Sequence, residues 1–307
     1  MRLSIIIVSW NTCKLLATCL ASVQREREDL APTLVETFVV DNASSDGSVQ
    51  MVRNRFPCVR LIENAKNVGF AAANNQAISS SSGDWVLLLN SDAELSGQSL
   101  RRLIDFGAAH EKIAVIGCKL TNPDGSFQAA GNRFSSTLVT LAEGWGVMGR
   151  LTHNPYYPSD PPWCADQTKP CGWVGGACLL VRRAAIEKVG LLDEVFFMNA
   201  EEMDWCYRMW QHGWEVWYVH DAEVVHIGGA SADRRSASQR LRLYEGKVRF
   251  VGKHYGRWAG KLVRLNFRLA SLCKATGYQL AHLVTGRPSM QRMAASHWPV
   301  VWRKSWM

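Results

Sequence analysis

The feature that most constrains this chain is its opening run, Leu3-Ser4-Ile5-Ile6-Ile7-Val8. A run in which all but Ser4 are apolar and four in succession are β-branched predicts a strand covered on both faces, as in a parallel sheet, because a one-sided strand would alternate. The next segments agree with a parallel sheet. Leu15, Leu16, Cys19, Leu20 and Val23 recur at helical spacing. Val35–Val40 predicts a second strand, with a helical stretch after it to Phe56, and Val59–Ile62 a third. Phe70–Ile78 is an Ala-rich helical segment, Trp85–Leu89 a fourth strand and Ile113–Ile116 a fifth. Strand and helix alternating at this pace imply βαβ units and an α/β fold.

The second half is less regular. Cys118 to about Thr168 is rich in Gly, Pro and Asn. Beyond it, Cys171–Val181 is apolar with glycines, Ala200–Gln211 predicts a helix, and Glu215–Val219 and Glu223–His226 predict short strands. These elements are expected to extend the same sheet. No run of about 18 apolar residues marks a spanning helix, and the N-terminus lacks the pattern of a secretory signal. Nine scattered cysteines without a CxxC motif fit a reduced, cytosolic protein.

Charge divides the chain. The whole carries +8, with 47% apolar and 20% charged residues, as in a packed globular protein. Gly228 to Met307 holds sixteen Lys/Arg against two acids, whereas the preceding part is net negative. In that tail Leu241, Tyr244, Val248, Val251, Tyr255, Trp258, Leu262, Leu265, Leu269 and Leu272 follow 3-4 spacing, with basic residues between them and Gly252, Gly256 and Gly260 as candidate breaks. This predicts a basic amphipathic helix or helix pair that either packs on the body or meets an anionic membrane surface, the latter preferred. The expected division is 1–231 for the body and 232–307 for the tail.

In a parallel sheet, ligands bind beyond the carboxyl ends of the strands. Four such ends are polar here: Ser9 and Asn11; Asp41-Asn42; Asn64 to Gly69; and Asn90-Ser91-Asp92. One polar tip would be a turn, but four together suggest a nucleotide site. Asp41 could accept hydrogen bonds from a base or ribose, although the Ser-rich segment after it also reads as a helix cap. Asp92, driven out of an apolar strand with Asn90 beside it, could give a hard cation part of its oxygen shell. Glu201, Glu202 and Asp204 crowd a helix start. They are either a capping box on Asn199 with an Asp204–Arg208 pair, or a set containing a general base. His226 ends an apolar run before Gly228, where a neutral imidazole could complete a metal shell.

Taken in order, Val8-Ser9-Trp10-Asn11, the segments VDNASSDGS, NVGFAAANN, LLLNSDAEL, GGACLLVRR, FFMNAEEMDWCYR and HIGGAS resemble family 2 glycosyltransferases of the bacterial rhamnosyltransferase-like group, over about residues 3–231. The resemblance implies the GT-A fold: a Rossmann-like, mixed, mainly parallel sheet flanked by helices. It implies inverting transfer from a nucleotide-diphosphate sugar to a glycan or polyprenyl-linked acceptor, in cell-surface polysaccharide synthesis at the inner face of the cytoplasmic membrane. The donor could be a deoxysugar such as dTDP-rhamnose, with UDP- and GDP-sugars as alternatives. By resemblance Ser9, Asn11, Asp41, Asn67, Gly69 and Asn90 lie on the donor side. Asp92 and His226 hold Mg2+ or Mn2+, Glu202 is the base, and Glu201 and Asp204 accompany it. Asn90 stands where the family's metal motif has its first aspartate. Two other classes remain in view. An oxidoreductase would need GxGxxG after the first strand, and Ser9-Trp10-Asn11-Thr12 lacks it. A nucleic-acid binder would use the basic tail alone, which the ordered motifs argue against, so no nucleic-acid partner is expected.

Overall fold

The computed structural model describes residues 1–128, 130–146, 166–228 and 237–303. The strands are β1 (Arg2–Ser9), β2 (Leu34–Asp41), β3 (Arg60–Glu63), β4 (Trp85–Asn90), β5 (Ala93–Ser96), β6 (Ile113–Thr121), β7 (Phe127–Gln128), β8 (Gly131–Asn132), β9 (Lys169–Pro170), β10 (Trp173–Val174), β11 (Cys178–Arg182) and β12 (Glu215–His226). The helices are α1 (Cys13–Glu28), α2 (Ser48–Arg55), α3 (Phe70–Ser80), α4 (Ser99–Ala108), α5 (Thr137–Trp145), α6 (Arg183–Val189), α7 (Glu201–Gln211), α8 (Ala237–His254), α9 (Arg257–Thr285) and α10 (Pro288–Trp302). The chain resolves into two compact units. The first comprises residues 1–134, 161–197 and 201–231, and the second residues 135–160, 198–200 and 232–307.

The first unit is built on one sheet in the order β3-β2-β1-β4-β11-β6-β12-β5. Pairings β1–β2, β1–β4, β2–β3 and β6–β12 are parallel, while β11 runs antiparallel between β4 and β6. The result is a mixed, mainly parallel sheet with helices on both faces. The apolar run of β1 explains why both faces are needed. Leu3, Ile5 and Ile7 pack toward Leu16, Leu20 and Val23 of α1. Ile6, on the other face, joins Ala73 and Ala77 of α3 and Trp205 and Met209 of α7. Alternation of side chains across a strand requires this division.

Three features differ from the expectations. Glu215–Val219 and Glu223–His226 form one strand, β12, whose pairing with β6 shifts register between Val219 and Glu223. The shift is an irregularity within the ladder, and it looks like a break when only local pattern is read. Second, β5 and α4 lie between the fourth and fifth expected strands. β5 is four residues long and pairs antiparallel with the end of β12. α4 starts from Gln98 at φ +65°, without a side-chain cap. Glu26 of α1 replaces that cap, accepting from Ser99 N at 3.0 Å and Leu100 N at 2.8 Å.

The third difference is in the second unit. Gly256, at φ +99°, separates α8 from α9, whereas Gly252 and Gly260 lie inside those helices. A Cβ on Gly260 would stand 2.8 Å from the Gly252 Cα, so the two glycines let α8 and α9 approach closely. The 3-4 pattern consequently splits. Val248 and Val251 are buried, while Trp258, Leu262, Leu265, Leu269 and Leu272 are exposed. Among the described residues no helix is long and apolar enough to cross a membrane.

The eight described cysteines are free thiols, and Cys164 lies outside the described residues. Cys19, Cys118, Cys178 and Cys206 are buried, and burial pushes the Cys206 thiol up to about 12. A hydrogen bond with Cys178 and burial push Cys118 up as well.

Because Glu26 serves two amides at once, Glu26→Ala leaves Ser99 N and Leu100 N without an acceptor. The variant is expected to lose about 1–3 kcal/mol of stability, as measured by denaturant unfolding.

Candidate active site

Strand register brings the polar tips together. Ser9 pairs with Asp41, and Val8 with Asn90, so the tips of β2, β1 and β4 line one edge. Ser9 is fully buried, with its Oγ 3.0 Å from Thr12 Oγ1, and Thr12 Oγ1 donates to Ser91 Oγ at 2.9 Å. A chain of hydroxyls therefore joins the first strand tip to the fourth. Ser91 belongs to the polar Asn90–Asp92 tip read from the sequence, whereas nothing local marks Thr12. Asn11 accepts from Ser45 N at 2.8 Å, and its own N–H donates to Ser44 Oγ at 2.9 Å, tying the first loop to the second.

Asp41 is 2% exposed, and its two oxygens differ. Oδ1 accepts from Ser44 N at 2.8 Å. Oδ2 is buried and has no hydrogen-bond partner among the described residues. A buried acceptor left open needs a donor to offset its desolvation, and a nucleoside base can supply one. Asn67 Oδ1 accepts from Gly69 N at 3.0 Å. Gly69 has φ +90°, and a Cβ there would lie 2.6 Å from the Phe197 carbonyl oxygen. That same carbonyl accepts from Phe70 N at 2.7 Å. The missing side chain of Gly69 is thus accounted for by the segment that leads toward α7.

Asn90, Asp92 and His226 meet. His226 Nε2 lies 3.3 Å from Asp92 Oδ1 and 3.3 Å from Asn90 Nδ2. The pairing of β12 with β5, in which His226 faces Ala93, brings the histidine there. Gln128, also unread in the sequence, orients its ring. Gln128 Nε2 donates to the His226 carbonyl, so Oε1 faces His226 Nδ1 at 2.9 Å and accepts from it. That leaves Nε2 turned toward Asp92 and Asn90, the ring nitrogen open to a metal ion. Burial alone would raise the Asp92 carboxyl. The hydrogen bond and charge of His226 and the Gly228 amide at 3.1 Å outweigh it and hold Asp92 below the ordinary aspartate value. A carboxylate oxygen and an imidazole nitrogen, with an amide beside them, suit a Mg2+ or Mn2+ ion that takes its remaining ligands from a diphosphate and water. Gly229, Ala230 and Ser231 lie outside the described residues.

The three acids of α7 have three environments. Asp204 is fully buried and pairs with Arg208 at 2.8 Å. Arg208 also donates to the carbonyls of Val189 at 3.1 Å and Leu191 at 2.8 Å, so this pair anchors α7 to the preceding loop. Glu201 is 4% exposed, and burial, then the charge of Glu202, push its carboxyl well above the usual range. Glu202 is half-buried. Asn199 and Ala200, both at φ +75°, lead into the helix. An N-cap residue is normally extended, and Asn199 is not. Non-glycine residues rarely adopt positive φ, and such strain gathers at functional sites. Among the described residues five adopt it: Asn11 and Ala43 follow β1 and β2, Gln98 precedes α4, and Asn199 and Ala200 precede α7.

The comparisons with known proteins are consistent with this geometry. Residues 4–189 match the family model Glycosyl transferase family 2. Over 247 residues the chain is 31% identical to the N-acetylglucosaminyl-diphospho-decaprenol L-rhamnosyltransferase of Mycobacterium tuberculosis, covering 74% of this chain and 78% of that protein. It is 24% identical to the low-salt glycan biosynthesis hexosyltransferase Agl10 of Haloferax volcanii, covering 76% of each. Among solved structures, it resembles the mannosyltransferase PcManGT of Pyrobaculum calidifontis in complex with GDP-Man and Mn2+. The TM-score is 0.59 at 18% identity, covering 99% of this chain and 88% of that one. GalNAc-T7 with UDP, GalNAc and Mn2+ gives a TM-score of 0.58 at 17% identity, covering 82% of this chain and 47% of that one. At such identities these structures speak for the GT-A fold alone.

Removing Arg208 would take the ion-pair partner from the fully buried Asp204. Arg208→Ala is expected to lower stability by about 3–5 kcal/mol in denaturant unfolding. Arg208→Lys should recover only part of this, since an ammonium cannot serve the carboxylate and both carbonyls as the guanidinium fork does.

Proposed function

The chain belongs to glycosyl transferase family 2, and from that membership we propose that it moves a sugar from a nucleotide-diphosphate donor to a hydroxyl of a lipid-linked glycan, with inversion. The observation that carries the site assignment is the meeting of Asp92 Oδ1 and His226 Nε2 at the carboxyl edge of the sheet. The Mycobacterium tuberculosis relative is named for L-rhamnose transfer to N-acetylglucosaminyl-diphospho-decaprenol. Rhamnose is therefore the first sugar to test, and a polyprenyl-diphosphate glycan the first acceptor. We assign residues 1–231 to catalysis. Residues 232–307, with their basic excess, would hold the enzyme at an anionic membrane surface, the inner face of the cytoplasmic membrane.

On this reading Asp41 Oδ2 receives the N–H of the donor base, while Ser9, Asn11, Asn67 and Gly69 shape the pocket around the nucleoside. Asp92 and His226, with Asn90 beside them, would hold Mg2+ or Mn2+, whose charge would offset that of the diphosphate. Asn90 in place of an acid gives the site one negative charge fewer, and the imidazole supplies a neutral ligand instead. Glu202 is the base. Burial and the charge of Glu202 push the Glu201 carboxyl up, which favours its half-buried neighbour Glu202 for the role of base. Glu202 takes the proton of the acceptor hydroxyl as its oxygen attacks the anomeric carbon. The bond from that carbon to the diphosphate oxygen breaks, and its electron pair leaves with the nucleotide. One in-line attack inverts the centre, so no enzyme nucleophile is needed. Asp204, held by Arg208, positions the helix.

The full-length protein, given dTDP-rhamnose, an N-acetylglucosaminyl-diphospho-polyprenol acceptor and Mg2+ or Mn2+, is expected to form a glycoside of inverted configuration. No transfer from dTDP-, UDP- or GDP-sugars would overturn the reading.

Glu202→Gln is expected to lower turnover by about 100-fold or more, with donor affinity and Tm unchanged. Glu201→Gln is the control. If Glu201→Gln is the inactive variant and Glu202→Gln the active one, the base is Glu201.

Asp92→Asn removes the sole carboxylate of the Asn90–Asp92 turn. It is expected to abolish most divalent-cation-dependent transfer, and a wild-type metal titration in that variant would refute the metal assignment.

A further inference from the structure

Helix α9 presents an apolar stripe to the outside. Its inner side, Gly260, Val263, Phe267, Ala270, Ser271 and Ala275, is buried. Its outer side carries Trp258, Leu262, Leu265, Leu269 and Leu272, between 38% and 76% exposed, and continues through Leu280 and Leu283 at 63% and 72%. At 3.6 residues per turn these positions, with Thr276, fall on one narrow strip of the helix surface. At a rise of 1.5 Å per residue the strip is roughly 38 Å long. A helix already packed through one face has no need of leucines on the other. So long an exposed apolar strip marks a contact surface.

The charges around the strip indicate what it contacts. Arg257, Lys261, Arg264 and Arg268 follow the same helical spacing and border one edge of it. Lys261 Nζ sits 4.2 Å from the ring centre of Trp258, an aromatic placed where the strip begins. From Gly246 to Arg303 there are eleven Lys/Arg and no Asp or Glu. A second copy of this chain would bring two such basic edges together. A coiled-coil pairing would need flanking acids to offset them, and this stretch has none. An anionic bilayer provides both missing partners, acyl chains for the leucines and headgroups for the cations.

We propose that α9 is an in-plane membrane-docking helix, its Trp258–Leu283 strip seated at the headgroup–acyl boundary of an anionic bilayer and its Arg257, Lys261 and Arg264 side chains on lipid phosphates. The helix lies on the membrane and does not cross it. α8 buries Val248, Phe250 and Val251 and exposes the single leucine Leu243, so it offers no comparable strip. This places on one helix the membrane contact proposed above for residues 232–307 and is independent of the sugar-transfer chemistry, because vesicle binding is measured without donor or acceptor.

The test is co-sedimentation of the full-length protein with vesicles of phosphatidylglycerol and phosphatidylcholine, and with phosphatidylcholine alone. The wild type should partition onto the phosphatidylglycerol vesicles, less at high salt and much less onto phosphatidylcholine. Leu265→Glu combined with Leu269→Glu should weaken that partition at least ~tenfold, with unchanged Tm because both side chains are exposed. Arg257→Ser with Lys261→Ser should weaken binding to phosphatidylglycerol vesicles and flatten its salt dependence. Wild-type vesicle binding by the double-Glu variant would overturn the proposal. So would a wild type that ignores vesicles and forms a dimer, seen by light scattering, that the double-Glu variant dissociates.

Discussion

Parallel pairing of β1 with β2 on one side and β4 on the other is the constraint on which the candidate site depends. The register that aligns Ser9 with Asp41 and Val8 with Asn90 makes three strands end at one edge. A slip of one residue would turn Ile5 and Ile7 to the face of Ile6 and move every tip away from its neighbours. Helices on both faces make such a slip costly, because each of these isoleucines is fully buried. Stability and site geometry are therefore one property of this sheet. The apolar interior fixes the register, and the register sets the spacing of Asp41, Asn90 and the turn to Asp92.

The remaining site groups come from the antiparallel and irregular parts. β12 follows β6 in parallel and then changes register, so that its last residue, His226, arrives beside Asp92. Gln128 grips that histidine at both its ring and its carbonyl. On α7, three acids within four residues are separated by environment: an ion pair for Asp204, burial for Glu201 and partial exposure for Glu202. Of the three, Glu201 is the one whose carboxyl burial and a neighbouring charge push up.

The parallel core was legible because β1, β2 and β4 are long, apolar and bounded by polar turns, so composition and period agree. Asp41, Asp92 and His226 stood out because each interrupts an apolar run. Gln128 and Thr12 did not, since their partners lie 98 and 79 residues away and nothing local announces them. β5 was missed because four residues carry too little period, and α4 because its cap comes from Glu26, 73 residues earlier. In the tail, 3-4 spacing revealed an amphipathic helix but not which apolar residues face inward. The Gly252–Gly260 contact sets that division, letting Val248 and Val251 turn inside and leaving the leucines of α9 outside.

The burial of the cysteines has a consequence for how this protein can be watched. Cys58 and Cys273 are exposed, whereas Cys19, Cys118, Cys178 and Cys206 are sealed in the sheet or against it. Only a thiolate reacts with an alkylating reagent, and burial keeps Cys19, Cys118 and Cys206 protonated as well as out of reach. The two surface thiols should label at once, and each buried one only as often as the sheet around it opens. The order in which buried cysteines become labelled would then rank the local opening of the central strands, with Cys118 and Cys178 on neighbouring strands timing the middle of the sheet.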